Sequence, residues 1–176
     1  AEAAAAKRAA AEAQRKAEQE AKFTNKTNEI DEKQTAEKIR SQEDSDIKVL
    51  EDRISSLKDG SDKTILQMKL NHQKEIIELK REKEDKLKNR VDEEKQKFEA
   101  NPDNKAKVFD SSTVKLTADE EKEYSDRLSA TLEKQGKDYS DYYEKVLNKH
   151  KTYAQARKKI LEDSESDRKA LKASGA

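Results

Sequence analysis

Large apolar residues are sparse along this chain. Where they gather, they alternate in steps of three and four, the spacing that lines one face of a helix. Between Phe23 and Leu57 they include Phe23, Ile30, Ile39, Ile47, Leu50, Ile54 and Leu57, and the last four of these step by 3, 4 and 3. A second stretch recurs every seven residues at Leu70, Ile77, Val91 and Phe98, with Glu84 in the one missing place; Leu66 and Leu87 alternate with polar Gln73, Lys80 and Glu94 at the interleaved positions. The third stretch is the most complete: Leu132, Gln135, Tyr139, Tyr142, Val146, Lys149, Tyr153, Ala156 and Ile160, widened by Tyr143, Leu147 and Leu161 and closed by Leu171. This pattern predicts long helices with narrow apolar stripes.

Two places interrupt it. In Asp59-Gly60-Ser61-Asp62, glycine suits a helix C-terminus, and Ser61 or Asp62 suits the cap of a new helix. One glycine inside a helix costs only about 1 kcal/mol relative to alanine, so this break is optional. Pro102 is stricter, because it cannot continue the hydrogen-bond ladder and disfavours helix at Asn101. Residues 100–117 are therefore expected to be non-helical. Val108, Phe109, Val114 and Leu116 there surround a polar Asp110-Ser111-Ser112-Thr113 turn, as a short extended pair or a folded loop. Thr117 and Glu120 form a T-x-x-E capping box that starts the last helix.

The expected organisation is an Ala-rich helical spacer over 1–22, with eleven of the 21 alanines, then a helical arm over 23–99, a loop or tip over 100–117 and a returning arm over 118–173. Gly136 weakens the last arm without ending it, and Ser174-Gly175-Ala176 reads as a domain edge. The fold class is all-α: an elongated antiparallel helical hairpin or coiled coil with its tip at 100–117. Counting back from residue 108 pairs Val91 with Tyr124 and Leu87 with Leu128. Counting from Gly60 instead pairs Ile47 with Ile76 and Phe23 with Phe98, which makes a long three-helix bundle with an extra turn near 59–62.

Composition narrows the function. Charged residues make up 44% of the 176 residues, and only 34 large apolar side chains are available, too few for a rounded core. Thirty-nine basic residues balance thirty-nine acidic ones, leaving no net field to draw in nucleic acid. No apolar run approaches the roughly 18 residues of a membrane span, so this segment is not expected to insert directly. With no cysteine, the redox compartment stays open.

His72 and His150, the only histidines, lack metal-ligand spacing and read as residues of solvated helix faces. Glu82 with Lys86, Glu84 with Lys88 and Glu93 with Lys97 read as supporting pairs along one helix. No phosphate-binding or nucleophile motif occurs, so neither an enzyme nor any cofactor or metal is expected. The tyrosines at stripe spacing read as packing residues. The loop is the natural recognition element, since irregular segments on a rigid scaffold tend to carry binding residues. Its apolar side chains either close a small cluster at the tip or face a partner. The candidate partner-binding residues are Asn101, Pro102, Asp103, Val108, Phe109, Val114 and Leu116.

An Ala-Glu-Arg-Lys-rich leading helix, a long charged arm, a loop containing Asn101-Pro102-Asp103 and a returning arm together resemble the receptor-binding coiled-coil hairpin in the middle of colicin-type bacteriocins. The resemblance implies a secreted segment acting at the bacterial cell surface, with the loop from Asn101 to Leu116 docking on an outer-membrane receptor protein of a target bacterium. It also implies a translocation and a cytotoxic domain elsewhere, neither of which is recognisable in this chain. A monomer is expected over a dimer. The alternative is a structural coiled-coil spacer or scaffold of a stalk or cell envelope, cytoplasmic or periplasmic.

Overall fold

The computed structural model describes residues 2–174 and carries three helices: α1 (Glu2–Ser55), α2 (Ser61–Ala100) and α3 (Ala118–Ala173). No strand occurs among the described residues, so the fold is all-α as expected. The Ala-rich start is continuous with the rest of α1. The loop, which begins one residue later than expected, covers residues 101–117 and is folded around two short 3-10 turns, Pro102–Asn104 and Ser111–Thr113, with no extended pair. Gly175 and Ala176 of the expected terminal edge lie outside the described residues.

The optional break near Gly60 is used, which splits the arm expected over 23–99. Ser55 and Ser56 turn their hydroxyls back to the carbonyls of Asp52 and Arg53 at 2.9 and 2.8 Å, drawing acceptors from the end of α1. Gly60 follows with φ 159° and ψ −175°, a backbone conformation open to glycine. It takes the N-cap place expected of Ser61 or Asp62, and its carbonyl accepts from the Thr64 amide at 3.1 Å.

The chain divides into two compact units, one through Leu128 and one from Ser129 onward. In the first unit, α2 is the shared element. Cross-helix ion pairs show that it runs antiparallel to α1: Lys95–Glu29 (2.7 Å), Arg40–Asp85 (2.6 Å), Lys80–Glu43 (2.9 Å), Arg81–Asp44 (2.8 Å) and Lys74–Glu51. In this register Ile54 stands opposite Leu70, and both are buried, Leu70 to 2% exposure. The apolar stripe Ile47, Leu50, Ile54 continues toward the N-terminus at the same 3 and 4 steps through Glu43 and Arg40. Charge replaces the apolar seam there.

The apparent gaps in the α2 pattern have the same explanation. Glu84 lies 3.6 Å from Arg40, and Lys80 bonds Glu43. Of the pairs expected along one helix, Glu82 and Lys86 therefore go to Arg127 and Glu120 on α3, while Lys97 stays on α2 and pairs with Glu94.

The other side of α2 meets the first turns of α3. Arg90 and Lys86 bond Glu120 at 2.5 and 3.1 Å, Lys83 bonds Glu121 at 2.6 Å, and Arg127 grips Glu82 through two bonds of 2.8 and 2.9 Å. Buried Tyr124 lies beneath the charges of Lys86 and Arg127, 5.8 and 5.4 Å from its ring centre. Tyr124 thus faces Lys86 rather than Val91. Counting from residue 108 misses the register because the loop lies down on α1 instead of arching symmetrically.

The second unit is the remainder of α3, which runs through Gly136 as expected. Every residue from Leu147 to Ser174 is exposed.

Leu70→Ala is expected to destabilise the protein by about 2–5 kcal/mol, the range for emptying a packed core site. Urea unfolding followed by circular dichroism measures it. A loss under about 1 kcal/mol would mean that the Ile54/Leu70 end of the hairpin is not the core of the first unit.

Candidate functional site

The loop is organised by short polar side chains that bond to nearby backbone, the usual chemistry of Asn, Asp, Ser and Thr outside helices. The Asn101 side chain accepts from the Asp103 amide at 3.0 Å, and Pro102 opens the 3-10 turn that this cap starts. Asn104 reaches back to the Phe98 carbonyl at 3.1 Å, closing the end of α2. Asp110 caps the second turn, accepting from the Ser112 amide at 3.0 Å and its hydroxyl at 2.6 Å.

Two residues of α1 tie this loop down. Asn25 donates its side-chain amide to the Lys107 carbonyl at 3.2 Å and accepts from the Phe109 amide at 2.8 Å. One side chain thereby pairs with the backbone on both sides of Val108. Glu32 adds a 2.5 Å bond from the Ser111 hydroxyl. The loop is thus a fixed surface of the first unit.

Its exit is held as firmly. The capping box forms as expected, with the Thr117 amide donating to Glu120 at 3.1 Å and the Glu120 amide donating to the Thr117 hydroxyl at 3.2 Å. Glu120 also receives both arms of Arg90. The Arg90 bonds and the Thr117 amide hold its carboxyl well below the ordinary value of 4.5.

The candidate binding residues therefore separate. Phe109 packs on Phe98 with ring centres 5.5 Å apart, Leu116 is buried and Val114 is half-buried, so these three are drawn into the protein. Val108 is 49% exposed, and Asn101, Pro102 and Asp103 are exposed at the loop entrance. The four apolar residues, grouped in the sequence, thus have two different roles.

Asn25 and Glu32 escape a reading of the sequence, because they lie some 80 residues from the loop they hold. One signal exists: Asn is a poor helix former, and Asn25 sits deep inside α1.

His72 is buried rather than solvated, while His150 is exposed as expected. Among the described residues, no group of three or more His, Cys, Asp or Glu is placed to hold a metal ion, and no helix is long and apolar enough to cross a membrane. Comparison with protein-family models, curated proteins and solved structures finds no match to this chain.

Two variants probe the clasp and the exit. In Asn25→Ala, the Phe109 amide is expected to exchange with solvent about tenfold faster, matching a hydrogen bond worth roughly 1.4 kcal/mol; unchanged protection would mean that Asn25 does not hold the loop. For Glu120, the depressed value means that its stabilisation is complete above 4.5 and is lost as pH falls below it, where the unfolded chain takes up the proton first. The melting temperature of the native protein should therefore exceed that of Glu120→Gln at neutral pH, and the gap should narrow below 4.5. A gap that stays constant down to pH ~3 would show that the ion pairs contribute nothing.

Proposed function

We propose that this chain is the receptor-binding and spacer segment of a secreted, colicin-like bacterial toxin: a non-enzymatic helical segment whose loop meets an outer-membrane protein of a target bacterium. The observation that carries this reading is the clasp of Asn25 around Val108. Fixing the backbone on both sides of an apolar residue while leaving its side chain half in solvent prepares it as an anchor, because little conformational entropy remains to be lost on binding. Exposed Lys105 and Lys107 flank it, and Asn101, Pro102 and Asp103 add a polar rim. A hot apolar centre with a polar edge is the usual anatomy of a recognition patch.

The second reading is a coiled-coil spacer or scaffold. It draws on the second unit, where Leu147, Tyr153, Ile160, Leu161 and Leu171 are exposed along α3.

Binding of the fluorescently labelled chain to a panel of Gram-negative cells tests the proposal. Saturable binding is expected on some of them. Val108→Ser should weaken it on the order of tenfold, as for loss of an interface anchor, without changing helicity. Tyr153→Ser should leave binding unchanged. Equal loss in both variants, or none in Val108→Ser, would move recognition away from the loop.

A further inference from the structure

The longest exposed apolar face lies on the second unit. Lys149, Tyr153, Ile160, Asp167 and Leu171 recur at steps of 4, 7, 7 and 4, which places all five within one narrow stripe of α3. Tyr153 and Ile160 are 71% and 69% exposed, and every other member of the stripe is exposed too.

The charges along the same stretch are sorted into blocks. From Lys145 to Lys159 there are six Lys or Arg and no acidic residue; from Glu162 to Asp167 there are four acidic residues and no basic one. Reversed, the acidic block of one copy lies along the part of the basic block that holds Lys149 and Lys151 of the other. A parallel partner of the same sequence would set Lys149 against Lys149 and Asp167 against Asp167, and each block against its like.

We infer that α3, from Lys145 to Leu171, pairs antiparallel with the same segment of a second copy of this chain. With the two-fold axis beside Lys158, Lys149 of each copy faces Asp167 of the other, and Ile160 faces Ala156, the alternation that an antiparallel coiled coil requires. Among registers that keep these stripe positions facing one another, this one gives Lys149 a carboxylate partner. The paired stretch is roughly 40 Å long at 1.5 Å per residue. The first unit uses the same means of pairing, with antiparallel helices, a thin apolar seam and opposite charges between helices. The inference revises the expectation of a monomer and is independent of what the loop binds.

Sedimentation equilibrium of the full chain tests it. The mass should rise from 20.2 kDa toward twice that value with concentration and fall back with added salt. Lys149→Asp and Asp167→Lys should each weaken association about tenfold or more while circular dichroism stays unchanged. An equimolar mixture of the two variants should recover it, because each then supplies the charge the other lacks, and the double swap in one chain should recover it as well. Tyr153→Ser with Ile160→Ser should abolish it. A mass of 20.2 kDa at every concentration overturns the inference. So does association that survives both single charge reversals, or that the mixture fails to restore.

Discussion

Charge pairing between helices compensates for a shortage of apolar residues in the first unit. The seam that α1 starts with Ile54, Leu50 and Ile47 runs out of hydrophobic side chains at Glu43 and Arg40. From there α2 answers with Lys80, Arg81, Glu84 and Asp85. Partly exposed ion pairs contribute at most about 1 kcal/mol each, and Arg40 and Arg81 each bury an Nε atom without an acceptor, which offsets part of that gain. Their main effect is on alignment. Sliding α2 by one turn in one direction would set Glu29, Glu43, Asp44 and Glu51 against Glu99, Glu84, Asp85 and Glu78, and in the other would leave them facing apolar residues, so the pairs select one register that the sparse apolar contacts alone would leave loose. Stability comes mainly from the few buried side chains, Leu70, Ile54 and Tyr124 among them.

That alignment also positions the loop. Because α2 is held antiparallel to α1 in one register, its C-terminus arrives beside the α1 segment bearing Asn25 and Glu32. The loop then lies against α1 while Arg90 and Glu120 fix its exit on the other side of α2. Rigidity at the loop is thus inherited from the ion-pair ladder many residues away. It is also what distinguishes Val108 from its apolar neighbours: Phe109 packs on Phe98 and Leu116 is buried, while the backbone bonds on either side of Val108 leave that side chain outward.

The two units handle sparse hydrophobicity differently. In the first, the α1 seam around Ile54 packs on α2 of the same chain, while Phe23, Ile30 and Ile39 of the same stripe stay exposed. In the second, a stripe of similar quality is solvent-exposed from Leu147 onward, with its charges already sorted into opposing blocks. A helix with a narrow apolar stripe gains most of its stability from packing that stripe, so the exposed face is a physical incentive for association beyond the single chain.

Much of the local structure was legible in the sequence because its causes are local. Steps of three and four imply helix wherever they occur, Pro102 ends α2 through its own missing donor, and the Thr117/Glu120 box requires only residues three apart. The stop at Gly60 was legible as a place and undecided as an outcome, since one glycine costs a helix so little. Of the pairings between distant segments, the α1–α2 register was legible by counting from Gly60, which lands close to the observed ion pairs, and the α2–α3 register counted from residue 108 was not. Heptad-like stripes match in many registers, the gaps at Lys80 and Glu84 look like defects until Glu43 and Arg40 stand beside them, and Asn25 has no visible purpose until the loop reaches it. Backbone propensity and capping act within a few residues, so the helices and the stretch that separates α2 from α3 follow from the local sequence. Which counting applies, how α3 meets α2, the clasp and which apolar residue faces solvent depend on charges and backbone groups tens of residues apart, and emerge only once the chain has folded.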